Sequence, residues 1–405
     1  MKPGKSPSEG PPSPPERGRG RGKDDLRYIR GFDGLRALAV ALVLAAHSGT
    51  WEGLRGQPWF DQFVYPLVLG ENGVLIFFAL SGFLITHLLL RERERIGHIH
   101  YGYFLARRAL RLLPAFTIFW LILLAFTLLG YYDIHPASFA FAAAYLYNFI
   151  PKHFYSGYFG LTWSLGVEEQ FYLLWPLLLR RLPAVSLRAG VGWATGLFVV
   201  ASLLFMAFVP DLHLPPVPVS ANGEALDLSD YNVGRVFFPY RWFIPMGSYL
   251  LLGCLAAAWI DRLRGWLASG PWPLLLVTLL FLAPWYAGWL GYFPQKLLQT
   301  AGFALFIGWL FVRQQSIAAQ LLEWAPLRHL GRLSYGLYLY SGIFLATGIS
   351  KPTYWWQEVP VALVLTYGLA LVSFGTVEGW FLQRKKDYRT GENTYKSGFT
   401  DREDL

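Results

Sequence analysis

The sequence holds one cysteine and little charge: only 15% of its 405 residues are Asp, Glu, Lys or Arg. A lone cysteine, Cys254, excludes an intramolecular disulfide framework. It sits in an apolar stretch, where it reads as a small packing residue. Nothing has the spacing of a zinc, haem or iron–sulfur site, so no metal is expected. Soluble domains carry about 25% charged residues. The shortfall here comes with 54% hydrophobic and 18% aromatic residues, too much apolar surface for one aqueous core. Lipid is the alternative solvent, and each crossing needs about 20 mainly apolar residues. Stretches 117–129, 191–209, 273–290 and 361–374 fit that reading. The formal net charge is +9. Its basic residues gather between apolar segments, which is the positive-inside pattern and not a nucleic-acid face.

Residues 1–27 are rich in Pro, Gly, Ser and Arg, as in PPSPPERGRGRGKDD, and bury too little apolar area to order themselves. They are expected to form a disordered cytoplasmic tail. The basic start before an apolar run suggests a signal peptide, but Asp33 and Arg36 interrupt that run and no A-x-A site follows. Residues 32–49 are therefore read as a retained first span, running outward. The expected fold is an all-α polytopic transmembrane bundle of about ten spans plus a short re-entrant or interfacial segment. The spans fall near 32–49, 72–90, 112–130, 163–179, 189–209, 240–260, 272–290, 297–313, 334–350 and 359–381, with both termini inside. The piece 137–150 is too short to cross. This gives a tail 1–27, a membrane domain 28–383 and a polar cytoplasmic tail 384–405. Trp51, Trp59, Trp285, Trp289, Trp355 and Trp356 are expected at the outer interface. The outer loop 210–238 is Pro-rich and acidic, with Asp211, Glu224, Asp227 and Asp230.

Ionisable groups inside spans are costly and usually functional. The first span has Asp33, Arg36 and His47. Arg36 and His47 are about three helical turns apart, hence on nearly one face and roughly 16 Å apart along the axis. Either alone is also explained by snorkelling to the headgroups. In TWSLGVEEQFY, 162–172, Glu168 and Glu169 lie within two turns of a span. Glu168 is expected at the depth of His47, where a carboxylate can orient an imidazole for general base work. Ser81-Gly82 in FFALSGFLI, 77–85, reads as close helix packing and not as a nucleophile elbow. Arg107, Arg108 and Arg111 in RRALRLLP, 107–114, gather at an inner boundary, able to grip phosphates or to anchor on anionic lipid. Glu378 is expected to pair with the 384–386 basic cluster.

Together these motifs resemble the acyltransferase-3 family of membrane O-acyltransferases. The resemblance runs from Tyr28 to about Phe381. FDGLRALAVALVLAAHS supplies the basic residue and histidine of the first-span pattern. FFALSGFLI and RRALRLLP are similar to the second-span and basic-loop motifs. TWSLGVEEQFYLLWPLLL matches the most distinctive stretch at Trp163, Ser164, Glu168, Phe171 and Tyr172, and GRLSYGLYLY, 331–340, resembles the late signature. Two departures stand out. Ser341-Gly342-Ile343 replaces His-x-Pro, and Glu378-Gly379-Trp380-Phe381 replaces Glu-x-Pro-Phe. Some members carry an extracytoplasmic hydrolase-like domain after the spans, and none is expected in this chain.

The resemblance implies transfer of an acyl group, commonly acetyl from acetyl-CoA, to a hydroxyl of a carbohydrate or similar acceptor in the bacterial cytoplasmic (inner) membrane. Family acceptors include O-antigen, exopolysaccharide, peptidoglycan and macrolides. His47 and Glu168 are then the catalytic candidates, with His47 a general base or a transiently acylated nucleophile. Arg36, Arg107, Arg108 and Arg111 are candidates for the acyl-CoA phosphates. Asp33, Trp163, Ser164 and Tyr172 are candidates for substrate contact. A polysaccharide-intermediate transporter or flippase also predicts intramembrane charge, but not this ordered set of motifs.

Overall fold

A computed structural model describes residues 28–183, 186–212, 233–286, 290–345 and 354–384. The first part of the chain forms α1 (Phe32–His47), α2 (Tyr65–Val68), α3 (Gly70–Ile96), α4 (Tyr101–Leu128), α5 (Pro136–Ala143), α6 (Thr162–Arg181), α7 (Leu187–Phe208) and α8 (Val233–Val236). The second part forms α9 (Phe243–Ala258), α10 (Ile260–Leu267), α11 (Trp272–Tyr286), α12 (Tyr292–Val312), α13 (Ile317–Leu322), α14 (Ala325–Phe344), α15 (Val359–Ser373) and α16 (Gly379–Arg384). Every regular element among the described residues is helical, with no strand.

The central helix is α3. Its apolar run 74–85 has no polar face, so it is stable only when surrounded by protein, and Val74, Leu75, Ile76, Phe78, Ala79 and Phe83 are buried. It packs against α1, α9 and α12. The approach to α9 is set by two glycines. A Cβ on Gly82 would stand 1.9 Å from the Leu250 carbonyl oxygen, and one on Gly253 would stand 2.1 Å from that of Ala79. Lipid offers no hydrophobic drive between helices, so close backbone contact through small residues does this work. The packing role expected for Gly82 is met. Peripheral helices look different: Trp193 on α7 is 81% exposed and Leu197 is 73% exposed.

Among the described residues six helices are long and apolar enough to cross a membrane, or up to seven if the bent pair α10 and α11, turned by 106°, is one span. Three more of the ten expected crossings correspond to α1, α6 and α14, which fall outside that group. α1 has only 16 residues. α6 carries Glu168, Glu169, Arg180 and Arg181, and α14 opens with Arg328, His329 and Arg332.

Several boundaries move. The expected span 334–350 begins earlier, at Ala325, with Pro326 in the first turn, where its missing N–H costs nothing. Residues 346–350 lie outside the described residues. The expected span 297–313 starts at Tyr292, which brings Lys296 into the bundle. Lys296 is 1% exposed, and its Nζ lies 3.1 Å from Glu71 Oε2 on α3. Segment 137–150 forms the eight-residue α5 and a short turn of 3-10 helix, about 12 Å of α-helix and too little to cross. Among the described residues Glu378 does not pair with Arg384: Ser373 Oγ donates to its Oε1 at 2.7 Å, and Arg384 stacks on Trp380. A π-helical turn, Phe374–Glu378, rotates Glu378 inward. Of the tryptophans expected at the outer interface, Trp59 and Trp355 are exposed. Trp289, the tail 1–27, Lys385, Lys386, Glu224, Asp227 and Asp230 lie outside the described residues.

Candidate active site

The start of α1 is fixed by Glu323. The Gly31 N–H donates to Glu323 Oε1 at 2.6 Å, and the Tyr28 hydroxyl donates to the same carboxylate at 2.9 Å. Gly31 turns the chain at φ 85°, a conformation other residues adopt at a cost. One turn into the helix, Arg36 Nη1 lies 2.6 Å from Asp33 Oδ1. Both side chains line a cavity of about 410 Å³ between α1, α3, α4, α6 and α14.

On the α3 and α6 walls of that cavity, three side chains close a triangle. Ser81 Oγ donates to Glu168 Oε1 at 2.8 Å, Tyr172 OH donates to Glu168 Oε2 at 3.2 Å, and the two hydroxyls are 2.9 Å apart. Glu168 and Tyr172 share a face of α6 because they are four residues apart. Arg108 and Arg111 on α4 line the same cavity. The Arg108 guanidinium stands 5.0 Å from the centre of the Tyr172 ring. One turn toward the other end of α6, Ser164 Oγ lies 2.7 Å from Tyr338 OH, and both are buried.

His47 ends α1 and does not line this cavity. Its Nδ1 is 2.8 Å from the Val43 carbonyl oxygen. A carbonyl only accepts, so Nδ1 carries the proton and the neutral ring presents Nε2 as its basic nitrogen. His47 is partly buried, and among the described residues Arg241 is near enough to act on it electrostatically. The Arg241 guanidinium sits 4.4 Å from the centre of the Phe238 ring and 5.5 Å from those of Tyr155 and Trp163. Trp163 also packs edge-on against Phe78.

The site residues therefore divide into two groups. Asp33, Arg36, Arg108, Arg111, Glu168 and Tyr172 meet in the cavity with Ser81. Ser164, hydrogen-bonded to Tyr338, lines the same cavity, whereas Trp163 lies against Arg241 and His47 ends α1 outside it. Two expectations are corrected. Glu168 is not beside His47, because α1 and α3 run antiparallel in a register that the glycines mark. A Cβ on Gly70 would touch Ala46, and one on Gly73 would touch the Ala39 carbonyl. Each turn along α3 thus descends one turn of α1, and Ser81, with its partner Glu168, is level with Asp33 and Arg36. The second correction concerns Arg107. Arg108 and Arg111 line the cavity, and Arg107 does not. Arg107 Nη2 lies 3.1 Å from Glu92 Oε2, at the α3–α4 connection.

Three polar residues escaped the sequence reading. The small Ser81-Gly82 pair signals packing, yet a hydroxyl at mid-span also needs a partner. Tyr338 sits within the late signature but carries no charge to mark it. Arg241 had a signal: an arginine at a predicted outer helix end, against the positive-inside trend.

A family model described as "Acyltransferase domain", that of acyltransferase-3, matches residues 29–376. The chain is 29% identical to the candidate peptidoglycan O-acetyltransferase YrhL of Bacillus subtilis over 386 residues, covering 87% of this chain and 54% of that protein. It is 27% identical to the peptidoglycan O-acetyltransferase OatA of Listeria monocytogenes over 390 residues, covering 87% of this chain and 55% of that protein. The chain thus spans about half the length of these curated relatives. No solved structure matches it. The motif order and the match over most of the chain make one conclusion: this protein belongs to the acyltransferase-3 family.

Proposed function

We propose that this protein is a membrane O-acetyltransferase that moves an acetyl group from acetyl-CoA to a hydroxyl of a cell-envelope carbohydrate. The reading is supported above all by one cavity that gathers Arg36, Arg108 and Arg111 around the Ser81–Glu168–Tyr172 triangle. Guanidiniums suit the planar, bidentate recognition of phosphate. They sit at the end of the bundle where basic residues collect, which favours an anionic cytoplasmic donor. The matching relatives bear peptidoglycan O-acetyltransferase names, which favours a glycan acceptor. The membrane is then the bacterial cytoplasmic membrane, with both termini on its cytoplasmic side.

In this mechanism Arg108 and Arg111 hold the donor's phosphates, and its thin arm runs along α1 toward His47, about 16 Å from the Arg36 level. His47 Nε2 takes the acceptor's hydroxyl proton as the oxygen attacks the thioester carbonyl. The C–S bond breaks, the thiolate receives that proton, and the ester and free CoA leave. An acyl-His47 intermediate uses the same Nε2, because Nδ1 is engaged with Val43. Trp163, Tyr155 and Phe238 around Arg241 offer aromatic faces to the acceptor's sugar rings.

The test incubates purified protein with radiolabelled acetyl-CoA and peptidoglycan fragments and measures CoA release. Release that depends on acceptor is expected, and His47→Ala abolishes it without lowering the thermal midpoint. Undiminished release from His47→Ala sinks the assignment of His47. Mass spectrometry of surface glycans from cells with and without the protein then identifies acyl group and acceptor from the missing mass.

A further inference from the structure

A second cavity, of about 540 Å³, lies at the C-terminal end of α3, next to the first cavity along that helix. The two share that helix: Ser81, Leu84 and Leu88 face one, while His87, Leu90 and Arg91 face the other. Its walls come from the basic end of α3, the first turn of α7 and the α9–α10 junction. Four guanidiniums, of Arg91, Arg93, Arg188 and Arg262, meet only two carboxylates there, those of Glu94 and Asp261. Glu94 is 3.4 Å from Arg91, and Asp261 is 3.3 Å from Arg188. Arg93 gives Nη1 to the Leu179 carbonyl at 2.8 Å. Arg262 lies over the Trp259 ring at 4.9 Å and has no ion pair among the described residues. The cavity thus carries an excess of two positive charges.

Two further features select the ligand. Ser186 gives α7 no side-chain cap, so the first N–H groups of that helix are left without partners inside it, beside the arginines. Such a helix end favours an anion, and phosphate oxygens above all. The other feature is apolar. Ala189 lines the cavity, and the same face of α7 continues as Trp193, Leu197, Val200 and Leu204, all exposed. A soluble phosphate compound has no use for this stripe, whereas an acyl chain does. We infer that the cavity binds the phosphodiester headgroup of an anionic glycerophospholipid, with its acyl chains along the α7 stripe. Basic pockets between helix ends on the cytoplasmic side recognise such headgroups. The bound lipid braces the C-terminal end of α3. This inference does not depend on the acyl-transfer reading.

The experiment is native mass spectrometry of the full chain, delipidated in detergent, with phosphatidylglycerol or phosphatidylcholine added. Phosphatidylglycerol is expected to stay bound at collision energies that strip phosphatidylcholine. Arg91→Gln with Arg262→Gln should lose that adduct, while Arg108→Gln, in the other cavity, should keep it. Equal retention of the two lipids by the unaltered protein overturns the inference and needs no variant. So does displacement of phosphatidylglycerol by inorganic phosphate or by CoA, which assigns the cavity to a soluble anion. Undiminished retention in the double variant, at an unchanged thermal midpoint, overturns it as well.

Discussion

At the scale of single residues, Glu168 carries the most consequence. A carboxyl group inside a membrane bundle is tolerated only with partners, and Ser81 and Tyr172 supply them. A hydrogen bond to a charged group contributes about 1.5–3 kcal/mol. Ser81→Ala removes one donor without filling space, so kcat/KM should fall about tenfold or more, since 1.4 kcal/mol is a factor of ten. Steady-state CoA release measures this, and an unaltered value would show that Ser81 only packs. The arginines give a sharper contrast, since they are neighbours in sequence. Arg108→Gln should raise KM for the donor about tenfold or more, a cost in the range for a lost charged hydrogen bond. Arg107→Gln should leave KM near its starting value, because Arg107 faces Glu92. A donor titration of both variants decides it, and equal effects would return all three arginines to one phosphate grip.

At the scale of helices, the bundle depends on backbone contact at the α3–α9 crossing. Gly82→Ala puts a methyl carbon 1.9 Å from the Leu250 carbonyl oxygen, and a main-chain carbonyl has no rotamer with which to retreat. The helices must separate, at a cost of about 1–3 kcal/mol for overpacking. The thermal midpoint in detergent should fall accordingly. Gly196→Ala on α7, where a Cβ meets nothing within 4 Å, is the matched control and should cause no loss. Because α3 also carries Ser81, Gly82→Ala should lower kcat along with stability. A variant with full stability and full activity would remove α3 as the reference helix of the site. The pair Lys296–Glu71 ties α12 to the other end of α3. The central helix is therefore held at one end by charge and at mid-length by close packing.

At the scale of the whole molecule, the two ends of the bundle differ in chemistry. One collects arginines and two basic cavities. The other presents His47, Arg241 and a set of aromatic rings. A donor and an acceptor from opposite compartments require that α1 and α3 each cross once. In a Cys254→Ala background, Gly53→Cys after α1 and Arg95→Cys at the end of α3 should label from opposite faces of intact cells. A membrane-impermeant maleimide reads this directly. α3 has 27 residues, about 40 Å of helix, enough for a crossing. Labelling of both positions from one face would contradict the two-compartment mechanism.

Much of this protein is determined by local sequence. A charge content of 15% decides the solvent, apolar runs decide where α3, α4 and α7 lie, and five motifs in order decide the family. These signals are local: each depends on residues within one helix or on order along the chain. The face shared by Glu168 and Tyr172 was legible for the same reason. What remained was the register between helices. That Ser81 meets Glu168, that Glu168 is level with Arg36 and not His47, that Lys296 finds Glu71, and that only two arginines of RRALRLLP line the cavity are all pairings across distant segments. Helical periodicity gives a residue's direction around its own axis, but not the height at which a neighbouring helix passes. That height is set by the places where two backbones approach closely enough to exclude a Cβ, and only the tertiary structure contains them.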